Sequence, residues 1–152
     1  MISPKELKID NWVCFDMNYY QVKGMLMSPS PQFYLYYKAG NEEEYRKVQA
    51  LYVSPIEITD DILVFNGFTE SENKDSNSIC YGEFIYEDDY VTLTYYLYSN
   101  NFYVKVKVKV KGLGYGCSLK EGKYEIRWVH ELQNILSMLP NGSKNEIKMY
   151  LE

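Results

Sequence analysis

The chain is poor in the residues that most often reveal a function. Its 152 residues include three cysteines, Cys14, Cys80 and Cys117, and a single histidine, His130. An odd number of widely spaced cysteines without a CxxC pair argues against a disulfide scaffold and favours a reducing compartment. A single histidine cannot build a multi-histidine metal site, and neither a GxGxxG fingerprint nor a phosphate-binding loop occurs. The sequence therefore predicts no metal and no cofactor.

Long apolar runs and positive charge are scarce as well. No run of about eighteen apolar residues occurs, so no membrane-spanning helix is predicted. The opening residues have no apolar core of signal-peptide length, and a cytoplasmic location is therefore expected. Lys and Arg number 16 against 21 Asp and Glu, a net charge of −5, whereas nucleic-acid-binding proteins usually carry a basic excess. The acidic excess lies in residues 1–80, which carry 7 basic and 12 acidic side chains. Residues 81–152 carry 9 of each and are neutral overall.

Tyrosine is the residue that the chain has in excess. Hydrophobic residues make up 46% of the sequence and aromatic residues 16%, and 17 residues are Tyr. Tyrosine suits strand surfaces that are half buried, since its ring is apolar and its hydroxyl is polar. The composition therefore predicts an α+β fold, mainly antiparallel β, and the pattern below adds two short helices. The oligomeric state is left open.

The first half alternates apolar and polar residues in short runs. Strands are predicted at 11–15, 19–27, 32–38 and 48–53. In the third of these, Phe33, Leu35 and Tyr37 fall on one face. The polar segment 40–47, with its acidic run, is predicted as a solvated turn rather than a metal site. Four short strands joined by tight turns predict a small N-terminal SH3-like barrel or a curled sheet.

A change of pattern after residue 54 predicts the first helix, over residues 60–66. Thr59 is a good N-cap, Asp60 and Asp61 lie in the first turn, and Gly67 can take the left-handed position that ends a helix. This helix start explains the two carboxylates, so no catalytic role is assigned to them. The side chains predicted to be buried are Ile62, Leu63, Val64 and Phe65.

The second helix is predicted over residues 130–139, where apolar residues recur at i, i+3, i+4 and i+7. They are Leu132, Ile135, Leu136 and Leu139. The glycine-rich segment 112–122 is predicted as a wide turn, and the alternating segment 145–151 as a last edge strand. Residues 69–78 hold no large apolar side chain and predict a flexible loop. The chain then forms either one compact domain, 1–152, or two lobes, 1–68 and 79–152.

The clearest hairpin lies in the second half. Beyond a strand at 81–87, residues 90–98 and 102–111 predict a strand pair joined by a turn at Asn100 and Asn101. This turn predicts that Leu97 pairs with Val104 and Tyr96 with Lys105, giving one apolar face and one face of Lys, Thr and Tyr. The candidate binding residues on the polar face are Tyr90, Tyr96, Tyr98, Tyr103, Lys105, Lys107, Lys109 and Lys111.

The lysine and tyrosine face has three interpretations. Lysines on a strand can form a solvated face or guard an edge against unwanted pairing. A face rich in tyrosine also suits a protein partner. Finally, alternate strand residues lie about 6.6–6.8 Å apart, near the spacing of phosphates, so a single-stranded nucleic acid is a third possible occupant.

Three segments carry a family resemblance: "NWVCFDMNYYQV" (11–22), "SPIEITDDILVFNGF" (54–68) and "WVHELQNILSMLPNG" (128–142). Together and in this order they resemble a widespread group of small uncharacterised proteins encoded by anaerobic gut bacteria and their phages. Pro140-Asn141-Gly142 stands where that group usually has threonine-glycine. The resemblance implies an accessory protein of a phage or mobile element, and it implies no reaction.

The leading functional hypothesis is a non-enzymatic cytosolic accessory protein that binds another protein, with inhibition of a host system as the role that the resemblance suggests. The alternative is nucleic-acid binding through the Lys/Tyr face of residues 90–111. A third hypothesis is a Cys-dependent hydrolase with Cys117 as nucleophile and His130 as base. No cysteine-family signature surrounds Cys117, so this is the weakest of the three.

Overall fold

The structure, a computed structural model, describes residues 2–39, 41–71, 80–87, 91–98, 102–108, 122–138 and 146–149. Within these ranges the chain forms strands and two short helices. The strands are β1 (Trp12–Phe15), β2 (Asn18–Leu26), β3 (Gln32–Ala39), β4 (Glu42–Gln49), β5 (Thr69–Glu70), β6 (Cys80–Glu87), β7 (Val91–Tyr98), β8 (Phe102–Val108) and β9 (Gly122–Glu125). The helices are α1 (Asp60–Phe65) and α2 (Val129–Leu136), and a 3-10 turn covers Ala50–Tyr52. The predicted α+β class, mainly antiparallel β, is confirmed.

The chain divides into two compact units that are not consecutive in sequence. The first contains Met1–Glu57, Trp128–Asn134 and Met149–Glu152, and the second contains Ile58–Arg127 and Ile135–Lys148. Each unit holds one antiparallel sheet, β1-β2-β3-β4 in the first and β5-β6-β7-β8-β9 in the second. Helix α2 contributes its first six residues to the first unit and its last two to the second.

The sheet of the first unit is open. Alternate residues of its strands, including Val13, Val22, Phe33 and Leu35, are buried in an apolar core. Strands β1 and β4 lie at opposite edges, so of the two predicted forms, an SH3-like barrel or a curled sheet, the closed barrel does not form and the four-stranded sheet is open. Strand β1 has only four residues, and Ser54 occupies its free edge, since the Cys14 and Ser54 backbones exchange two hydrogen bonds of 2.9 Å. Strand β4 therefore cannot pair with β1 at this edge to close a barrel.

Strand β4 lies where a turn was predicted. Residues 42–49 pair along their whole length with β3, and the predicted strand at 48–53 is replaced by the 3-10 turn. The prediction followed apolar content, whereas β4 is an edge strand, and edge strands commonly carry charged residues that block pairing with other sheets. Val48 is buried and the residues on either side of it are exposed, as expected for a strand with one wet face.

Two amide side chains of α2 hold the segment that leads into β1. Gln133 accepts a 2.8 Å hydrogen bond from the Trp12 backbone N–H and donates a 3.1 Å bond to the Asp10 carbonyl. Asn134 donates a 3.0 Å bond to the Glu6 carbonyl and accepts a 3.3 Å bond from the Asn11 side chain. These bonds fix the entry into the first sheet.

Helix α1 has the predicted start and end. The Thr59 hydroxyl accepts a hydrogen bond from the Ile62 N–H at 3.3 Å. Gly67 has a φ of 83°, and the Phe68 N–H donates to the Leu63 carbonyl, which is the bond that closes a Schellman motif. Ile62 and Leu63 are buried as predicted, but the prediction for Val64 and Phe65 was wrong, since both are exposed. Positions two apart in a helix differ by about 200°, so a helix of six residues cannot bury all four on one side.

The hairpin of β7 and β8 forms in a register two residues away from the predicted one. Leu97 pairs with Phe102 rather than Val104, and Tyr95 pairs with Val104. A shift of two residues keeps every position on its predicted face, because side chains alternate with a period of two. On β7, Leu93 and Tyr95 are buried, and the Tyr95 hydroxyl donates a 3.0 Å bond to the Ile126 carbonyl. The turn residues 99–101 lie outside the described residues.

The buried stripe of α2 is confirmed for Leu132, Ile135 and Leu136, and Leu139 lies outside the described residues. The predicted last strand was wrong for residues 146–149, which pair with no strand. The side chain of Asn66 instead bonds both backbone groups of Lys148, donating at 2.8 Å and accepting at 2.7 Å. An amide side chain carries the same donor and acceptor as a peptide, so it can replace a strand neighbour.

Two further predicted segments lie mostly outside the described residues. Of the predicted flexible loop 69–78, Thr69 and Glu70 form β5, which pairs with Ile85 and Phe84, and residues 72–78 are not described. Of the glycine-rich segment 112–122, only Gly122 is described, as the first residue of β9.

Candidate functional site

The structure brings five of the eight predicted binding residues onto one strand pair. Tyr96 and Tyr98 belong to β7, and Tyr103, Lys105 and Lys107 belong to β8. Tyr96 pairs with Tyr103, while Lys105 and Lys107 pair with Thr94 and Thr92. Tyr90, Lys109 and Lys111 lie outside the described residues.

Glutamate positions flank this hairpin on both sides. On β6, Glu83 pairs with Tyr96 and Glu87 with Thr92. On β9, Glu125 pairs with Tyr103 and Lys123 with Lys105. Among the described residues, the rows that contain the hairpin's polar positions thus hold three glutamates and the three lysines 105, 107 and 123, a formal balance of zero. A phosphate backbone is attracted by a basic excess, which these rows lack.

A second surface of tyrosine and lysine lies on the outer face of β2, β3 and β4. Phe33 and Leu35 are buried, so the alternation of β3 turns Tyr34 and Tyr36 to the opposite face. Tyr36 pairs with Tyr45 and Tyr34 with Lys47. We define the tyrosine face as Tyr34, Tyr36, Tyr45, Lys23, Lys38, Lys47 and Glu43.

The rings and cations of the tyrosine face contact one another. The ring centroids of Tyr36 and Tyr45 are 4.8 Å apart, with the planes tilted by 41°. The Lys23 ammonium lies 5.7 Å from the centroid of the Tyr36 ring, and the Lys47 ammonium 5.6 Å from that of Tyr34. Cations at this distance are attracted to the negative face of the ring. Tyr34 and Tyr45 nevertheless remain 43% and 72% exposed, so much of their surface is free to meet a ligand.

A glycine keeps the Tyr34 ring close to the sheet. Gly24 pairs with Tyr34 at an irregularity in the β2–β3 register between Val22 and Gly24. A Cβ at position 24 would lie 3.1 Å from the Cδ2 atom of Tyr34, tighter than an ordinary contact. The missing side chain therefore leaves room for the ring to lie close to the β2 backbone.

Two of the three lysines on this face have carboxylate partners. Lys38 pairs with Glu43 at 3.1 Å, and Lys23 pairs with Asp10. The Tyr36 hydroxyl also donates a 3.1 Å hydrogen bond to Glu43. The bonds from Lys38 and Tyr36 lower the pKa of Glu43, and its carboxylate raises the pKa of Lys38. Both groups are exposed, so this pair orders the face more than it stabilises the fold.

The tyrosine face was not predicted from the sequence, because residues 40–47 were expected to form a turn rather than β4. The alternation of "QFYLYYK" (32–38) already puts Tyr34, Tyr36 and Lys38 opposite the predicted core face of β3. Tyr45 and Lys47 join them only if residues 42–49 form the neighbouring strand. To predict the tyrosine face, one would need the register in which β4, a charged edge strand, pairs with β3.

The proposed cysteine and histidine pair is not supported by the position of His130. Its side chain is 1% exposed, and within the described part of the chain neither ring nitrogen has a hydrogen-bond partner. A base buried in this way cannot meet a substrate from solvent, and Cys117 lies outside the described residues. Over the same described ranges, no group of three or more His, Cys, Asp and Glu side chains is arranged to hold a metal ion.

Neither helix in the described ranges is long and apolar enough to cross a membrane. Comparisons of the chain with protein-family models, with curated proteins and with solved structures gave no match. A function must therefore be argued from the two surfaces described above.

Proposed function

We propose that the protein has no catalytic role and acts by binding another protein through the tyrosine face. The observation that carries the proposal is the cluster of Tyr34, Tyr36 and Tyr45 on an outer sheet face, with two of the rings 43% and 72% exposed. Tyrosine is enriched at protein interfaces, because its rigid ring provides contact area at low entropic cost and its hydroxyl provides a hydrogen bond.

The charges of the tyrosine face also favour a protein partner. Lys38 with Glu43 and Lys23 with Asp10 form two ion pairs at its margin, so acid and base alternate around the rings. Protein interfaces commonly combine an apolar centre with a polar rim of this kind. A nucleic acid instead needs several uncompensated cations along its backbone.

A cytoplasmic accessory role in a phage or mobile element is part of the same proposal. It rests on the resemblance of residues 11–22, 54–68 and 128–142 to the small-protein family described above. Inhibition of a host system is the action we propose in that setting, since an inhibitor needs a surface that covers its target and needs no reaction of its own.

Nucleic-acid binding through the hairpin is the alternative. The cross-strand pair of Tyr96 and Tyr103 favours it, because bases can stack on such aromatic residues. The glutamates at positions 83, 87 and 125 oppose it, since Glu87 pairs into the row of Lys107 and the other two pair into the row of Tyr96 and Tyr103. We rank it second for that reason.

Affinity capture from a lysate of the source organism tests the proposal. The bait is the full chain, compared with a Tyr34→Ser/Tyr45→Ser variant and with Tyr52→Ser, whose residue is 63% exposed in the 3-10 turn outside the face. We expect a partner that survives nuclease treatment, is lost with the double variant and is retained with Tyr52→Ser. Loss of every partner on nuclease treatment would instead support the nucleic-acid alternative.

A further inference from the structure

We infer that the tyrosine face takes an acidic segment of its partner, with a carboxylate at Lys47 and an apolar or aromatic side chain against Tyr45. The inference rests on the proposed function and adds the chemistry of the ligand. Three observations carry it: the charge balance of the face, the surroundings of Lys47, and the exposure of Tyr45.

The tyrosine face, counted together with Asp10, carries a net positive charge, although the whole molecule is acidic. Lys23, Lys38 and Lys47 supply three positive charges, and Asp10 and Glu43 supply two negative ones, so 3 − 2 leaves +1. The whole chain carries −5. A local excess of opposite sign orients a charged ligand on the surface, and it gives specificity more than affinity.

Of the three lysines on the face, Lys47 is the one that a ligand carboxylate can bind without breaking an existing ion pair. Among the described residues it has no carboxylate within salt-bridge distance, and its ammonium lies over the Tyr34 ring instead. A carboxylate that arrives at Lys23 or Lys38 must compete with Asp10 or Glu43, whereas one that arrives at Lys47 displaces no ion pair. The Tyr34 ring attracts the ammonium weakly and leaves it exposed to a ligand.

The spacing of residues along β4 sets the distance between the contact at Lys47 and a second contact at Tyr45. Tyr45 and Lys47 are alternate residues of one strand, so their positions lie about 6.6–6.8 Å apart on the same face. Tyr45 is 72% exposed, which leaves most of its surface open to a side chain of the ligand. The ligand that fits has an acidic residue beside an apolar or aromatic one.

A nucleic acid fits this arrangement less well. It carries a phosphate at every nucleotide, and a face on which one lysine has no carboxylate partner among the described residues neutralises one of them. The net charge of −5 repels the remaining phosphates. A peptide segment with one or two carboxylates meets the same lysine with less repulsion.

Fluorescence anisotropy with a labelled short copolymer of glycine, glutamate and tyrosine, with one or two glutamates per chain, tests the inference. We expect the full chain to bind the copolymer, Lys47→Gln and Tyr45→Ser to weaken binding by about fivefold or more, and added salt to weaken it further. The matched controls are Lys5→Gln and Tyr52→Ser, which change an exposed lysine and an exposed tyrosine outside the face and should stay within about twofold of the wild type. Equal melting temperatures would verify that all variants fold.

Three outcomes overturn the inference: no binding of the copolymer, equal binding by Lys47→Gln and the wild type, or tighter binding of a labelled single-stranded oligonucleotide. Its failure can be told from failure of the proposed function. Nuclease-resistant capture that still depends on Tyr34 and Tyr45, without copolymer binding, would reject the acidic ligand and leave the protein-binding proposal standing. Loss of both the nuclease-resistant capture and the copolymer binding would reject the acidic ligand and the protein-binding proposal together.

Discussion

At the scale of single residues, the buried polar side chains of Asn66 and His130 differ in their hydrogen bonding. Asn66 is 2% exposed, and its amide bonds the Ile62 carbonyl and both backbone groups of Lys148. His130 is equally buried, and its two nitrogens have no hydrogen-bond partner among the described residues. Each of the two residues therefore gives its own prediction about stability.

Replacing Asn66 should destabilise the second unit strongly. Asn66→Leu removes the donor and the acceptor that bond the partly buried backbone of Lys148, and each such group left without a partner costs up to about 1–3 kcal/mol. We expect a loss of roughly 2–4 kcal/mol in the free energy of unfolding, measured by urea denaturation. Asn18→Leu, at the exposed first residue of β2, is the control. A loss below about 0.5 kcal/mol for Asn66→Leu would contradict this account of residues 146–149.

His130 should make stability depend on pH. Burial lowers the pKa of its imidazole, although the nearby carboxylates of Glu131 and Glu6 act in the opposite direction. The unfolded chain then binds the proton at about pH 6.5, and the folded chain binds it only at lower pH. The contribution of neutral His130 is therefore complete above about pH 6.5 and decreases as the pH falls towards the folded pKa.

Denaturation of the wild type and of His130→Leu at several pH values checks this sign. His130 is the only histidine in the chain, so the difference between the two proteins over pH 5–7 isolates its effect. The wild type should lose stability over this range and the variant should lose less. A wild type that becomes more stable on acidification would show that the imidazole gains a partner when it is charged.

At the scale of elements, the sequence predicts a strand or helix well where one signal decides it. Strands β1 to β3 follow from alternation, and α1 follows from Thr59 and Gly67. Strand β4 could not be predicted from apolar content, since an edge strand is selected for its charges. The register of β7 and β8 could not be predicted from the faces alone, because registers two residues apart bury the same side chains.

The apolar stripe of α2 gives a test at this scale. Leu136 is fully buried, so Leu136→Ala should leave a cavity and cost roughly 2–5 kcal/mol. Ser137→Ala, one position on and exposed, should cost far less. Thermal denaturation of both proteins measures the difference, and an unchanged melting temperature for Leu136→Ala would mean that the stripe does not hold the helix in place.

At the scale of the whole molecule, two sheets offer two surfaces of tyrosine and lysine. The hairpin of the second sheet could be predicted from the sequence because its lysines alternate regularly, yet glutamates 83, 87 and 125 pair into the rows of its tyrosine and threonine positions. The tyrosine face of the first sheet was not visible, because it is assembled from three strands and depends on the pairing of Tyr36 with Tyr45. Pairing between strands, rather than the pattern within one strand, decides which surface is the better candidate.

The position of Gly24 links the fold to the proposed binding. Gly24→Val should push the Tyr34 ring away from the β2 backbone, because a Cβ would lie 3.1 Å from that ring. We expect weaker binding of the glycine-glutamate-tyrosine copolymer together with a modest loss of stability. Copolymer binding unchanged by Gly24→Val would mean that the position of Tyr34 does not matter to the ligand.

Photocrosslinking tests the central claim, that a protein partner contacts the tyrosine face, most directly. p-Benzoylphenylalanine is introduced at position 45 of the full chain in the source organism or its host, and at position 52 as a control that is 63% exposed outside the face. The account predicts a discrete adduct with another protein from position 45 alone, resistant to nuclease. No adduct from position 45, equal adducts from both positions, or an adduct that nuclease removes would contradict it.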